Sequence, residues 1–187
     1  MNKLLILFSH GKESGPWGKK FLALAAVGKR LGAEVISVDY REYPKGTHHD
    51  QNALGEADRR VEQLLSIQLP KHDKLILVGS SMGGYVSTIA SERLKVDGLF
   101  LLAPAFYLTG YKIKNPTPCA KQTMVVHGWQ DEVVPVENSI KFAKKHLCNL
   151  HLLDSDHRLN DALPKIEPLF EIFLQQVIRS QNRVRLE

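Results

Sequence analysis

Three residue types that together make a hydroxyl nucleophilic at neutral pH stand at the ends of apolar runs in this chain. Gly79-Ser80-Ser81-Met82-Gly83 fits the pattern G-x-S-x-G, with Ser81 at its centre. A serine hydroxyl attacks poorly unless a neighbouring base takes its proton, and that base is most often a histidine oriented by a carboxylate. Of the eight histidines, His157 in "DSDHRLND" follows an apolar run, as does Asp131 in "VVHGWQDEVVP". The chain order is Ser81, Asp131, His157. Other acids compete with Asp131. Asp154 closes the run before His157 and serves if the loop folds back. Asp156 adjoins His157, but successive side chains of extended backbone point apart. Glu132, beside Asp131, points elsewhere by the same reasoning.

The pentapeptide alone is weak evidence, since chance produces it on the order of 5–10% of the time in a chain of this size. Its context says more. It follows the apolar run "KLILVG" and opens a helical pattern, so Ser81 falls on a strand-to-helix turn that projects its hydroxyl outward. Such a turn crowds the residues two before and two after the serine, which suits Gly79 and Gly83, and Gly84 eases the approach of the helix. A phosphate-binding loop fits less well: G-x-x-x-x-G-K-[ST] is absent, and neither "GSSMGG" nor the first turn, "SHGKESGPWG", contains G-x-G-x-x-G.

The elements that position these residues alternate in type. Apolar runs at 3–8, 34–39, 74–79, 98–104, 122–128 and 149–154 read as strands, the first of them covered on both faces. Between them lie helical patterns. The first starts at Pro16, carries Trp17, Phe21, Leu24 and Leu31, and stops at Gly32. The second carries Leu54, Ala57, Val61, Leu64 and Leu65. The third spans about 82–94, the fourth spans 135–147 with Ile140, Ala143 and Leu147 on its face, and the last spans about 161–178. "REYPKGTHHDQN" is a polar loop, and "THHD" within it is exposed. This alternation predicts a three-layer α/β/α fold around a mostly parallel sheet, with ligands gathered at the C-terminal strand ends.

With 187 residues, 43% of them hydrophobic, the chain suffices for one core, and a single domain over 1–180 is expected, followed by a basic tail at 181–187 whose final residues resemble a tag. The net charge of +5 comes from lysines and arginines spread along the chain, and clusters such as "GKK" read as solvated helix faces rather than a nucleic-acid surface. The two cysteines form no ligand pattern. No run reaches the ~20 apolar residues of a membrane span or the ~7–15 of a secretory core. A cytoplasmic protein without membrane or nucleic-acid partners follows, as monomer or homodimer. His10 and His127 each precede a glycine at a strand end and read as structural or pocket-lining imidazoles, so neither a metal nor a cofactor is expected. Trp129, Phe106 and Tyr107 are further candidates to line a pocket, whereas Trp17 suits the core.

The motifs "HG" after the first strand, "GSSMGG", "HGWQDEVVP" and "SDHRL" occur in an order and spacing that resemble a small α/β-hydrolase over residues 10–158. The resemblance implies a six-stranded sheet in the order 2-1-3-4-5-6. It also implies Ser81 as nucleophile, His157 as general base and then acid, and Asp131 as the orienting carboxylate. Backbone N–H groups of Met82 and Lys12 would form the oxyanion hole. Relatives often carry a cap between the fourth and fifth strands, but "AFYLTGYKIKNPTPCAK" is too short for one. An open, lidless site and a small acyl substrate, ester or thioester, are therefore expected, and Lys12 and Arg158 near the site favour an anionic one. Two other readings share the fold: a non-catalytic binding or regulatory protein, and an acyltransferase or peptidase using the same residues.

Overall fold

The computed structural model describes residues 3–42 and 46–180. The basic tail at 181–187 and part of the polar loop, 43–45, lie outside the described residues. Strand β1 (Leu4–Ser9) is built wholly of buried residues. Its side chains alternate between two cores. Leu4, Ile6 and Phe8 enter one, which includes Phe21, Leu24, Phe170 and Phe173. Leu5 and Leu7 enter the other, with Val61, Leu64, Tyr85 and Val86. An alternating strand would have one wet face; this one is apolar throughout because helices cover both.

Strands β2 (Glu34–Val38), β3 (Lys74–Ser80), β4 (Val96–Leu102), β5 (Ala120–Gly128) and β6 (Asn149–Leu153) complete a six-stranded sheet in the order β2-β1-β3-β4-β5-β6. Every pairing is parallel. Helices α1 (Lys19–Arg30) and α5 (Leu163–Arg179) cover one face, and α2 (Glu56–Ser66), α3 (Met82–Ala90) and α4 (Val136–His146) the other. The expected layers and strand order are those observed. No lid domain separates β4 from β5. Among the described residues, no helix is long and apolar enough to cross a membrane.

The deviations have local causes. Helix α1 begins at Lys19 rather than Pro16, because the Pro16 carbonyl turns away to accept a hydrogen bond from the Ser37 hydroxyl. Trp17 thus precedes the helix, and is 43% exposed with its ring tilted against that of Phe8, centroids 6.2 Å apart. Leu54 precedes α2 and is exposed. On α4 the buried stripe is Val136, Ser139, Phe142 and Ala143, while Ile140 and Leu147 face outward. Helix α3 ends at Ala90, and β4 begins two residues earlier than its apolar run suggests.

The N-terminal end of the sheet holds its own buried charges. Asp97 accepts hydrogen bonds from the Leu75 amide (3.0 Å) and the Lys121 ammonium (2.7 Å), tying β4 to β3 and to the start of β5. Lys74 is buried and donates to the Val177 carbonyl, one of the last-turn acceptors that helix α5 leaves without an internal donor.

Candidate active site

Ser81 stands between the last residue of β3 and the first of α3 with φ 53° and ψ −121°, a conformation that costs a non-glycine residue about 1–3 kcal/mol. The surroundings impose it. The Ser81 amide donates to the Leu102 carbonyl (2.9 Å), and its own carbonyl accepts from Gly84 (2.9 Å) and Ala105 (3.0 Å). Gly79 has the predicted steric reason: a Cβ there would lie 2.4 Å from the Gly83 oxygen. Gly83 answers to a different neighbour, because its Cβ would fall 1.8 Å from the Ser9 carbonyl oxygen at the end of β1. The two glycines let helix α3 dock directly against backbone.

His157 and Asp131 arrive from the loops after β6 and β5. The His157 Nδ1–H donates to Asp131 Oδ2 at 2.7 Å, and its Nε2 stands 3.0 Å from Ser81 Oγ, as acceptor of the hydroxyl proton. The Asp131 carboxylate is fully buried and takes three further donors. Its Oδ1 accepts from the Val133 (2.9 Å) and Val134 (2.8 Å) amides, and Oδ2 lies 2.8 Å from His127 Nε2, whose N–H is shared with the Val134 carbonyl (3.1 Å). Burial opposes its ionisation, but the hydrogen bonds from His127, His157 and Val134 outweigh that and hold the carboxyl well below the usual range. His127 is kept in register by Ser139, whose hydroxyl meets Nδ1 at 2.6 Å. The competing acids are occupied otherwise. Asp154 accepts from Gln130 (2.7 Å), and Asp156 turns back to the Arg158 and Leu159 amides.

Ser81, His157, Met82 and Lys12 share the wall of one open cleft of about 790 Å³. Among the described residues, no protein acceptor takes the Met82 or Lys12 amide, and the former opens α3, where the helix dipole favours negative charge. The other expected lining residues lie elsewhere. Phe106 is wholly buried, stacked on Phe142 at 4.3 Å. Tyr107 lies under the Lys141 ammonium, 4.1 Å from the ring centroid. Trp129 is exposed at the surface. Tyr111 and Lys20 line the cleft instead. Tyr111 sits in the short β4–β5 connection and is held against the Tyr85 ring at 4.4 Å.

His10 is not in the cleft but behind it. It is buried; Nδ1–H donates to the Gly11 carbonyl (2.7 Å) and Nε2 accepts from the Tyr40 amide (3.2 Å), which fixes the neutral ring. Burial, reinforced by the Arg60 cation, pushes its pKa down to about 4 against the pull of the Gly11 carbonyl. The unfolded chain binds this proton below pH ~6.5, but the native state does so only near pH 4. Stability is therefore complete above that window and declines across it by roughly 3 kcal/mol as the pH falls. Urea unfolding at successive pH values should show this decline in the wild type and a shallower one in His10→Gln.

The sequence pattern of the alpha/beta hydrolase family matches residues 6–166, and the chain belongs to that family. Its structure is that of a small, lidless member. An alpha/beta-superfamily protein from Xanthomonas campestris pv. campestris is similar at 28% identity, with 93% of this chain and 99% of that one covered and a TM-score of 0.78. A lidless α/β serine hydrolase from Xanthomonas campestris shares the fold at 22% identity, a TM-score of 0.72, and 94% and 82% coverage. Est1E from Butyrivibrio proteoclasticus, seen with ferulic acid bound, shares it at 19% identity, a TM-score of 0.70, and 95% and 90% coverage. A comparison with curated proteins finds no match.

Proposed function

We propose that this hydrolase is a serine carboxylesterase acting on small esters or thioesters through Ser81, His157 and Asp131. The observation that carries the reading is the unbroken hydrogen-bond path from Ser81 Oγ through both ring nitrogens of His157 to a buried carboxylate. Asp131 accepts the Nδ1 proton, so the neutral ring presents an unprotonated Nε2 to the hydroxyl. His157 takes the Ser81 proton as the oxygen attacks the acyl carbon, and the imidazolium is stabilised by Asp131. Charge developing on the carbonyl oxygen is met by the free amides of Met82 and Lys12. His157 returns its proton to the leaving alcohol or thiol, then deprotonates the water that releases the acid. The open cleft and short β4–β5 connection favour small acyl groups, and the free cysteines Cys119 and Cys148 suit a reducing, cytoplasmic setting. A fluorophosphonate probe should label the wild type at Ser81, identified by peptide mass, and a panel of acetyl, butyryl, feruloyl and thioester substrates should be turned over. Absence of labelling together with no turnover across the panel refutes the reading.

A further inference from the structure

Lys20 lies in the first turn of α1, where Lys19 precedes it, no acidic residue is present and no side chain caps the end. Two cations at the positive end of a helix dipole oppose local stability. The ordinary remedy is an ion pair, yet among the described residues Lys20 has neither a salt bridge nor a hydrogen bond. It is not the solvated helix face that "GKK" suggests, because its neighbour Phe21 packs into the core against Phe8 (4.9 Å) and holds Lys20 partly buried in the cleft wall. The carboxylates of Asp156 and Asp131 attract its ammonium, but neither makes an ion pair or hydrogen bond with it. Asp156 is bonded to loop amides, Asp131 is committed to the two imidazoles, Arg158 repels it, and Glu13 and Glu132 are exposed at the rim. Burial lowers its pKa to about 8, which leaves it mainly protonated at pH 7. Lys12, Lys19 and Arg158 add positive charge to the same wall; Lys19 and Arg158 are exposed, whereas Lys20 is partly buried, and a charge interaction strengthens as water is excluded.

We propose that Lys20 is the specificity-determining residue of this cleft, binding an anionic group that the substrate carries in addition to its scissile ester. This rests on the serine hydrolase reading and sharpens its substrate class to acidic esters. Two matched pairs test it: mono(4-nitrophenyl) adipate against 4-nitrophenyl 6-methylheptanoate, with the charge on the acyl side, and 4-acetoxybenzoate against 4-isopropylphenyl acetate, with the charge on the alcohol side. Lys20→Met should lower kcat/KM for the anionic member of at least one pair by roughly 10–100-fold, while the neutral members stay within about twofold. Lys20→Arg should keep most of the preference, and the melting temperature of Lys20→Met should be unchanged or raised. Equal losses on charged and neutral members with a lowered melting temperature, or no loss on any anionic ester, would overturn the proposal. Failure of the wild type to hydrolyse all four, with no fluorophosphonate labelling, would overturn the hydrolase reading beneath it.

Discussion

Ser81→Ala lowers turnover of short-chain esters by roughly 10⁴–10⁶-fold and leaves the fold intact. The size follows from the proposed mechanism, in which the variant has no atom to form the acyl-enzyme and the imidazole has no hydroxyl to deprotonate. Residual hydrolysis would come from the amides of Met82 and Lys12 and from substrate binding. The substitution is structurally mild: alanine keeps the backbone bonds from the Ser81 amide to Leu102 and from Gly84 and Ala105 to the Ser81 carbonyl, which hold the turn. Steady-state kinetics with 4-nitrophenyl butyrate, beside a circular-dichroism melt, separate the two effects. Activity within tenfold of wild type would exclude Ser81 as nucleophile.

A second large effect is expected at Arg60, which touches none of the three residues above. Its side chain is wholly buried, with Nε on Glu56 (2.7 Å), Nη1 on the His10 (3.1 Å) and Gly11 (3.2 Å) carbonyls, and Nη2 on Gln51. The ring of Tyr40 lies 4.9 Å from the guanidinium. Arg60 therefore fixes the two residues before Lys12, whose amide faces the cleft. Arg60→Met takes the donor from the His10 carbonyl and from Gln51, while the Gly11 carbonyl keeps only the His10 Nδ1–H (2.7 Å). Glu56 keeps Arg59, which bonds both its oxygens (2.7 and 2.8 Å), so the cost falls short of a bare buried charge. A loss of roughly 2–4 kcal/mol of stability is expected. At a temperature where the variant stays folded, kcat should drop by about 10–100-fold with KM nearly constant, since in the proposed mechanism the Lys12 amide acts on charge that appears only in the transition state. Urea unfolding and kcat measured separately from KM check both; an unaltered kcat would mean that Arg60 supports the fold alone.

Arg60 also marks where sequence reading stops. A charged residue on an amphipathic helix reads as solvent-facing, and only the tertiary contact of α2 with the loop after β1 makes it interior. Lys20 was hidden in the same way. Helix α4 shows the converse error: Ile140 and Leu147 read as inward but are exposed, while Ser139 is buried with its hydroxyl on His127, so the inward stripe is not the most apolar one. By contrast, the strands were legible because helices on both faces demand uninterrupted apolar runs. Ser81, Asp131 and His157 were legible because a parallel sheet delivers all its strand ends to one side. The cleft wall was not, since Tyr111 is placed by a ring contact with Tyr85 across a non-regular connection, and no periodicity encodes that.

The buried charges at the N-terminal end of the sheet have an evolutionary consequence. Lys74 and Asp97 lock strands and the last helix at the edge farthest from Ser81, so the parts that secure the scaffold and those that select the substrate occupy opposite rims. Mutational drift in the upper loops can then change what the cleft accepts without eroding the foundation. A directed-evolution library confined to the loop after β1, the start of α1 and the β4–β5 connection samples new selectivity on a scaffold whose tolerance is set elsewhere.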